Sequence, residues 1–157
     1  MKYDTETGNL IPCLAESIKL TDNHLEMRVT LRKDARFNTA DPLTSEDIKF
    51  TWRQFVDKKN ATINAHRYRT WKDIEIIDPH TFIIYFKQPS IDWQQAFRHF
   101  LVGSKKYFEK VGEEKFHNEP IGSGPFRLVS KSIGEEYVLE AVENHYSIKP
   151  QFKNLII

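Results

Sequence analysis

Residues 120–128 read Pro-Ile-Gly-Ser-Gly-Pro-Phe-Arg-Leu. Two glycines and two prolines within six positions continue neither a helix nor a central strand, because proline has no N–H to donate and glycine is costly to order. The stretch is therefore a special loop. Beyond it, residues 126–131 and 137–143 read as two strands joined by a polar turn containing Gly134, so the loop delivers the chain into a sheet. A loop of this composition brings its backbone close to another segment or to a ligand. Gly122, Ser123 and Gly124 are the candidate ligand-contacting residues, although the pattern alone favours a packing turn. If the two glycines take positive φ, valine at either one destabilises the fold.

Upstream, residues 1–9 read as a polar tail and apolar character begins at Leu10-Ile11-Pro12. Leu25, Met27, Val29 and Leu31 alternate with Glu26, Arg28 and Thr30, the period of a half-buried strand, so residues 18–31 read as a hairpin around Thr21-Asp22-Asn23. Thr44 followed by Asp47 three positions later is a near capping box, and Ile48, Trp52, Phe55 and Val56 then recur at helical spacing to about Lys58. Residues 60–69 show no clear period. Asp78-Pro79-His80 sets a type I turn between a strand of isoleucines and the β-branched and aromatic run 81–86, a second hairpin. Trp93, Phe97, Phe100 and Leu101 mark a helix starting near Ile91-Asp92, and Tyr107, Phe108 and Val111 a shorter one stopped by Gly112. The chain ends inside the apolar run Leu155-Ile156-Ile157, as a piece cut from a longer protein would.

Few function classes survive the composition. A net charge of +1, with 29% charged residues of both signs interspersed, gives no field for a polyanion. The single cysteine, Cys13, excludes an internal disulfide, and the residues before it lack the basic segment and apolar run of a lipid-anchored cysteine. No stretch approaches the ~20 apolar residues that span a bilayer, so no membrane insertion by this chain is expected.

Catalytic signatures are missing as well. The six histidines show no metal-ligand spacing, and Gly122-Ser123-Gly124 has no following helix and no lysine in the phosphate-loop position. Asp73 and Glu75 share a strand face, but as solvated positions rather than an acid–base pair. Residues 66–72, His-Arg-Tyr-Arg-Thr-Trp-Lys, interleave basic and aromatic side chains. In a near-neutral chain that is more often an edge strand or loop than a surface for single-stranded nucleic acid. The expectation is a non-enzyme with no catalytic residues, no metal, no cofactor and no nucleic-acid partner.

Several stretches, in order, carry a resemblance. They are Leu14-Ala15-Glu16-Ser17; Leu31-Arg32 with Phe37 after four intervening residues; Leu43-Thr44-Ser45-Glu46-Asp47-Ile48; Pro120 to Phe126; and residues 143–150. Together they resemble extracellular solute-binding family 5, the peptide-, oligopeptide- and nickel-type binding proteins of bacterial ABC importers. Three places depart from the family pattern. Asn38-Thr39-Ala40-Asp41 stands where His-Asp-Gly is usual, Ser123 replaces a threonine, and Asn144-His145-Tyr146-Ser147 lacks a tryptophan.

The resemblance implies a mixed α/β (α+β) fold of the type II periplasmic-binding-protein kind. It covers residues 10–157 as one partial solute-binding domain: the small subdomain with flanking pieces of lobe one, built from β-hairpins and two to four helices, with the second lobe absent. It also implies substrate capture for an ABC importer by lobe closure around a peptide or similar small solute. The partner is then the importer's membrane permease and the location the periplasm or the extracellular face, with the signal sequence missing from these residues. The alternative use of such a domain is solute sensing within a transcriptional regulator.

Overall fold

The computed structural model describes residues 2–4, 6–57, 65–91, 93–132 and 136–157. Among them the chain forms nine strands and four helices, the mixed α/β content expected. It divides into two compact units, Met1–Lys33 with Thr44–Val102 and Asp34–Leu43 with Gly103–Ile157.

The first unit opens with an element that the polar composition hid. Strands β1 (Lys2–Tyr3) and β2 (Leu10–Ile11) pair antiparallel, so the stretch read as a tail is a short hairpin. Its turn is stabilised locally: Asp4 accepts the Thr7 N–H at 2.8 Å and the Thr7 hydroxyl at 2.8 Å, and Gly8 takes the left-handed φ of 71° that glycine adopts without steric cost. Arg98 stacks its guanidinium 4.7 Å from the Tyr3 ring centroid.

Next come β3 (Ala15–Leu20) and β4 (Glu26–Leu31), the first expected hairpin, then helix α1 (Ser45–Val56) and the single-turn helix α2 (Ala65–Tyr68). The second expected hairpin is β5 (Trp71–Asp78) with β6 (Thr81–Phe86). All four long strands form one antiparallel sheet in the order β3-β4-β6-β5, so both hairpins meet through their inner strands. The alternation in β4 becomes a buried face, with Met27, Val29 and Leu31 at 0, 1 and 2% exposure. Across the register, Met27 faces Ile84 and Val29 faces Phe82. Pairs of buried apolar side chains at this spacing are what stabilise a sheet.

Helix α1 starts where its cap residues place it. The Asp47 carboxylate accepts the Thr44 N–H at 2.9 Å and the Thr44 hydroxyl at 3.0 Å, covering a donor that no helical carbonyl can reach. Ile48 and Trp52 are buried, and Phe55 and Val56 half-buried. Asp47→Ala is expected to cost about 1–2 kcal/mol, read as a lower urea midpoint with an unchanged slope. The helix stops short of the expected Lys58: Asp57 is its extended C-cap, donating its N–H to Arg53 O at 3.1 Å, while Lys58 and most of the aperiodic stretch after it lie outside the described residues.

Behind the sheet an aromatic cluster ties the helices together. Tyr68, fully buried, lies 4.7 Å from Phe55, 5.2 Å from Phe100 and 5.5 Å from Trp71 between ring centroids. Phe100 reaches it from just past helix α3 (Trp93–Arg98). The expected stripe is corrected at its end. His99 and Phe100 donate to carbonyls only three residues back, a tightening that ends the helix, and Leu101 emerges 78% exposed.

In the second unit, helix α4 (Lys105–Asn118) runs past the glycine expected to stop it. Gly112 does break the helix, with φ 80° and ψ 171°, but the chain re-enters helical geometry afterwards. Phe116 on the resumed segment packs edge-on against Phe108 at 5.3 Å, which rewards the return. Strands β7 (Phe126–Ser132), β8 (Glu136–Ala141) and β9 (Asn154–Ile156) then form an antiparallel sheet in that order, with Leu128, Leu139 and Leu155 aligned across it. Gly134 in the β7–β8 turn lies outside the described residues.

Candidate functional site

The loop at residues 120–126 is held almost entirely through its carbonyls. Gly122 O accepts the Asn38 N–H at 2.8 Å, and Pro125 O the Val142 N–H at 2.9 Å. Phe126 O accepts Asn38 Nδ2 at 3.2 Å. Ser123 O receives two bonds, from His145 Nε2 at 3.0 Å and from the Tyr146 hydroxyl at 3.1 Å. Three distant stretches of the second unit, around residues 38, 123 and 145, thus converge on one junction.

His145 fixes the junction's chemistry. Its Nδ1 accepts the N–H groups of Ser147 at 3.2 Å and Ile148 at 3.0 Å, so this nitrogen carries no proton and Nε2 is the donor to Ser123. One neutral imidazole therefore ties the turn at 145–148 to the glycine loop. On the other side Lys106 bonds Asp41 at 2.5 Å, and this hydrogen bond, aided by Thr39, holds the Asp41 carboxyl below its ordinary range.

Of the expected contact residues, Gly122 is exposed while Ser123 and Gly124 are half-buried. Among the described residues, the Ser123 hydroxyl and the Gly124 N–H have no protein partner; they are the polar groups the loop still offers. The conformational expectation is corrected. Neither glycine has a positive φ, and an added Cβ would meet nothing nearer than 3.9 Å at Gly122 and 4.0 Å at Gly124. The loop needs its carbonyls placed, not a left-handed backbone. Gly122→Ala and Gly124→Ala are accordingly expected to leave the melting temperature within a few degrees of the parent.

The left-handed residue of this junction is an alanine. Ala40 has φ 67°, and an L-residue there is strained by about 1–2 kcal/mol. Its N–H donates to Phe37 O at 2.9 Å and Phe37 in turn donates to Asp41 O, which holds the turn closed. Ala40→Gly should raise stability by about 0.5–1 kcal/mol once the greater freedom of unfolded glycine is deducted, seen as a higher melting temperature.

The other sequence candidates are occupied structurally. Asp73 lies 3.4 Å from Lys49 Nζ, and Glu75 accepts the Tyr85 hydroxyl at 2.6 Å, a bond that pushes the Tyr85 phenol up. In the basic-aromatic stretch, Tyr68 and Trp71 are buried at 0 and 2% exposure, so the stretch offers no run of open ring faces on which successive bases could stack. No group of three or more His, Cys, Asp or Glu side chains among the described residues is placed to hold a metal ion. No described helix is long and apolar enough to cross a membrane.

Comparison with known proteins places this architecture. The model of bacterial extracellular solute-binding proteins, family 5 Middle, matches residues 9–157. The chain belongs to this family. Among family 5 relatives, the probable ABC transporter periplasmic-binding protein SapA of Escherichia coli is 26% identical over 180 residues, covering 100% of this chain and 33% of the relative. A putative ABC transporter peptide-binding protein of Brucella ovis is 26% identical, over 98% of this chain and 30% of its own length. The chain thus spans about a third of the length of the curated relatives it matches.

Solved structures agree. NikZ from Campylobacter jejuni, in complex with Ni(L-His), superposes with a TM-score of 0.91 at 26% identity, over 99% of this chain and 32% of that one. The Bacillus subtilis oligopeptide-binding protein AppA, in complex with a nonapeptide, gives 0.86 at 24% identity over 98% and 32%, a likeness of fold. The anchors Asn38, His145 and Tyr146 were missed as functional candidates because their link to the loop is made across the second unit. The signal available was that Asn38 falls in one, and His145 and Tyr146 in another, of the three places where the sequence departs from the family pattern.

Proposed function

We propose that this chain is the solute-contacting portion of a non-enzymatic substrate-capture protein that serves a bacterial ABC importer at the periplasmic or extracellular face. The observation that carries the reading is the family match along residues 9–157 together with a fold shared with NikZ over 99% of the chain. The solute is a peptide or similar small molecule, held when two lobes close on it and delivered to the importer's permease.

In this reading residues 10–157 are the small subdomain and flanking pieces of lobe one. The Gly122-Ser123-Gly124 loop is chiefly a structural junction, with the Ser123 hydroxyl and Gly124 N–H its available contacts to a solute. Capture needs both walls of a cleft, because a half-site leaves ligand surface wet. The chain alone should therefore show no micromolar peptide binding by calorimetry, and such binding would remove the need for a second lobe. Mass spectrometry of what co-purifies with the longer parent protein is expected to find peptides. A nickel chelate or a sugar there would overturn the peptide assignment.

A further inference from the structure

The geometry points to a second binding site, on the first unit, for small organic anions that carry an apolar body beside a phosphate or carboxylate. A recess of about 460 Å³ is lined by Trp52, Val56, Arg69, Trp71, Lys72 and Lys87, a volume within the ~300–1,000 Å³ of small-molecule sites. All six residues belong to the first unit, and none of them to the Gly122-Ser123-Gly124 loop.

Its construction separates a narrow apolar floor, at which Trp71 and Trp52 show only 2 and 8% of their surface beside half-buried Val56, from a cationic rim. Trp52 and Val56 come from the end of α1, Trp71 and Lys72 open β5, and Lys87 follows β6. The pairing of Trp71 with Phe86 brings Lys72 and Lys87 to the same end of the sheet. Trp52 spends its indole N–H on Tyr68 O at 3.2 Å, leaving ring carbon for the floor. Lys87 is held in place: its N–H donates to Thr70 O at 2.9 Å and its ammonium to Arg69 O at 2.7 Å. Part of the cost of ordering that long side chain is thus met before any ligand arrives.

Charge decides the ligand class. Among the described residues Lys49, Lys106, Lys115 and Arg127 each pair with a carboxylate. Arg69, Lys72 and Lys87 do not. Three uncompensated cations around one apolar floor, in a chain whose net charge is +1, concentrate positive potential at this point and select anions. Because all three are exposed, the attraction is screened by salt and binding is modest.

The test is a titration of the whole chain with 1-naphthyl phosphate, 1-naphthoate, the neutral 1-naphthylmethanol and inorganic phosphate, followed by NMR at the indole N–H groups. Saturable shifts at Trp52 and Trp71, with Trp93 unmoved, are expected for one or both naphthyl anions, and which of them binds tells phosphate from carboxylate as the preferred group. Affinity should fall at least severalfold between about 0.05 and about 0.5 M salt. The double variant Arg69→Gln/Lys87→Gln should lose roughly tenfold or more, and Lys72→Gln, whose side chain has no bond to lose, severalfold with no effect on folding. Lys19→Gln/Arg28→Gln on the outer sheet face serves as the control. Equal binding of the neutral analogue, non-saturating shifts with both anions, or equal losses in the control would overturn the proposal.

Discussion

Trp71→Ala is expected to lower the stability of the first unit by about 3–5 kcal/mol. The indole is 2% exposed and has four aromatic neighbours, Tyr68, Phe86, Phe97 and Phe100, at ring-centroid separations of 5.5, 6.4, 5.4 and 5.3 Å. Its removal leaves a hole shared by α2, β6 and α3, which cannot all collapse into it without breaking the sheet register. Urea unfolding followed by circular dichroism measures the loss, and a loss below about 1 kcal/mol would show that the cluster relaxes freely.

The same cluster predicts an alkaline limit. Burial pushes the Tyr68 phenol up to about 12, with Arg67 opposing, while an unfolded tyrosine titrates near 10. Between those values the folded chain holds a proton that the unfolded chain releases, so stability is full below about pH 10 and falls as pH rises towards 12. The total fall is about 2–3 kcal/mol. Tyr68→Phe should flatten that decline.

His145→Ala is expected to cost the second unit about 2–3 kcal/mol. Three hydrogen bonds disappear together, two into Nδ1 and one from Nε2, each worth about 1 kcal/mol net. The N–H groups of Ser147 and Ile148 would be left without their acceptor. Ser123→Ala, whose hydroxyl has no protein partner, should be close to neutral. Paired melting curves test the contrast, since comparable losses in both would mean that the imidazole is not the tie.

What the sequence revealed and what it hid divide along sequence distance. The β3–β4 and β5–β6 hairpins and the start of α1 were legible because period-two alternation, Asp78-Pro79-His80 and the Thr44–Asp47 pair act within a few residues. The β1–β2 hairpin was not, because Asp4 and Gly8 build a turn without an apolar pattern to announce it. Gly112 stops a helix by local rules, and only the packing of Phe116 on Phe108 brings the chain back. The loop at 120–126 was legible as a loop, but its restraint comes from Asn38, His145 and Tyr146, which no local window contains. The glycines drew attention, whereas the left-handed strain sits at Ala40.

The second unit is assembled from residues 34–43 and 103–157, and the side chain of Asn38 reaches a carbonyl 88 positions later. During synthesis at about 5–20 residues per second, Asn38 would wait roughly 4–18 seconds before its partner emerges. The intervening residues 44–102 have time to fold first and replace a long flexible loop by an ordered one, reducing the entropy lost in closing it. The order of translation thus favours completion of the aromatic first unit before the glycine junction is secured.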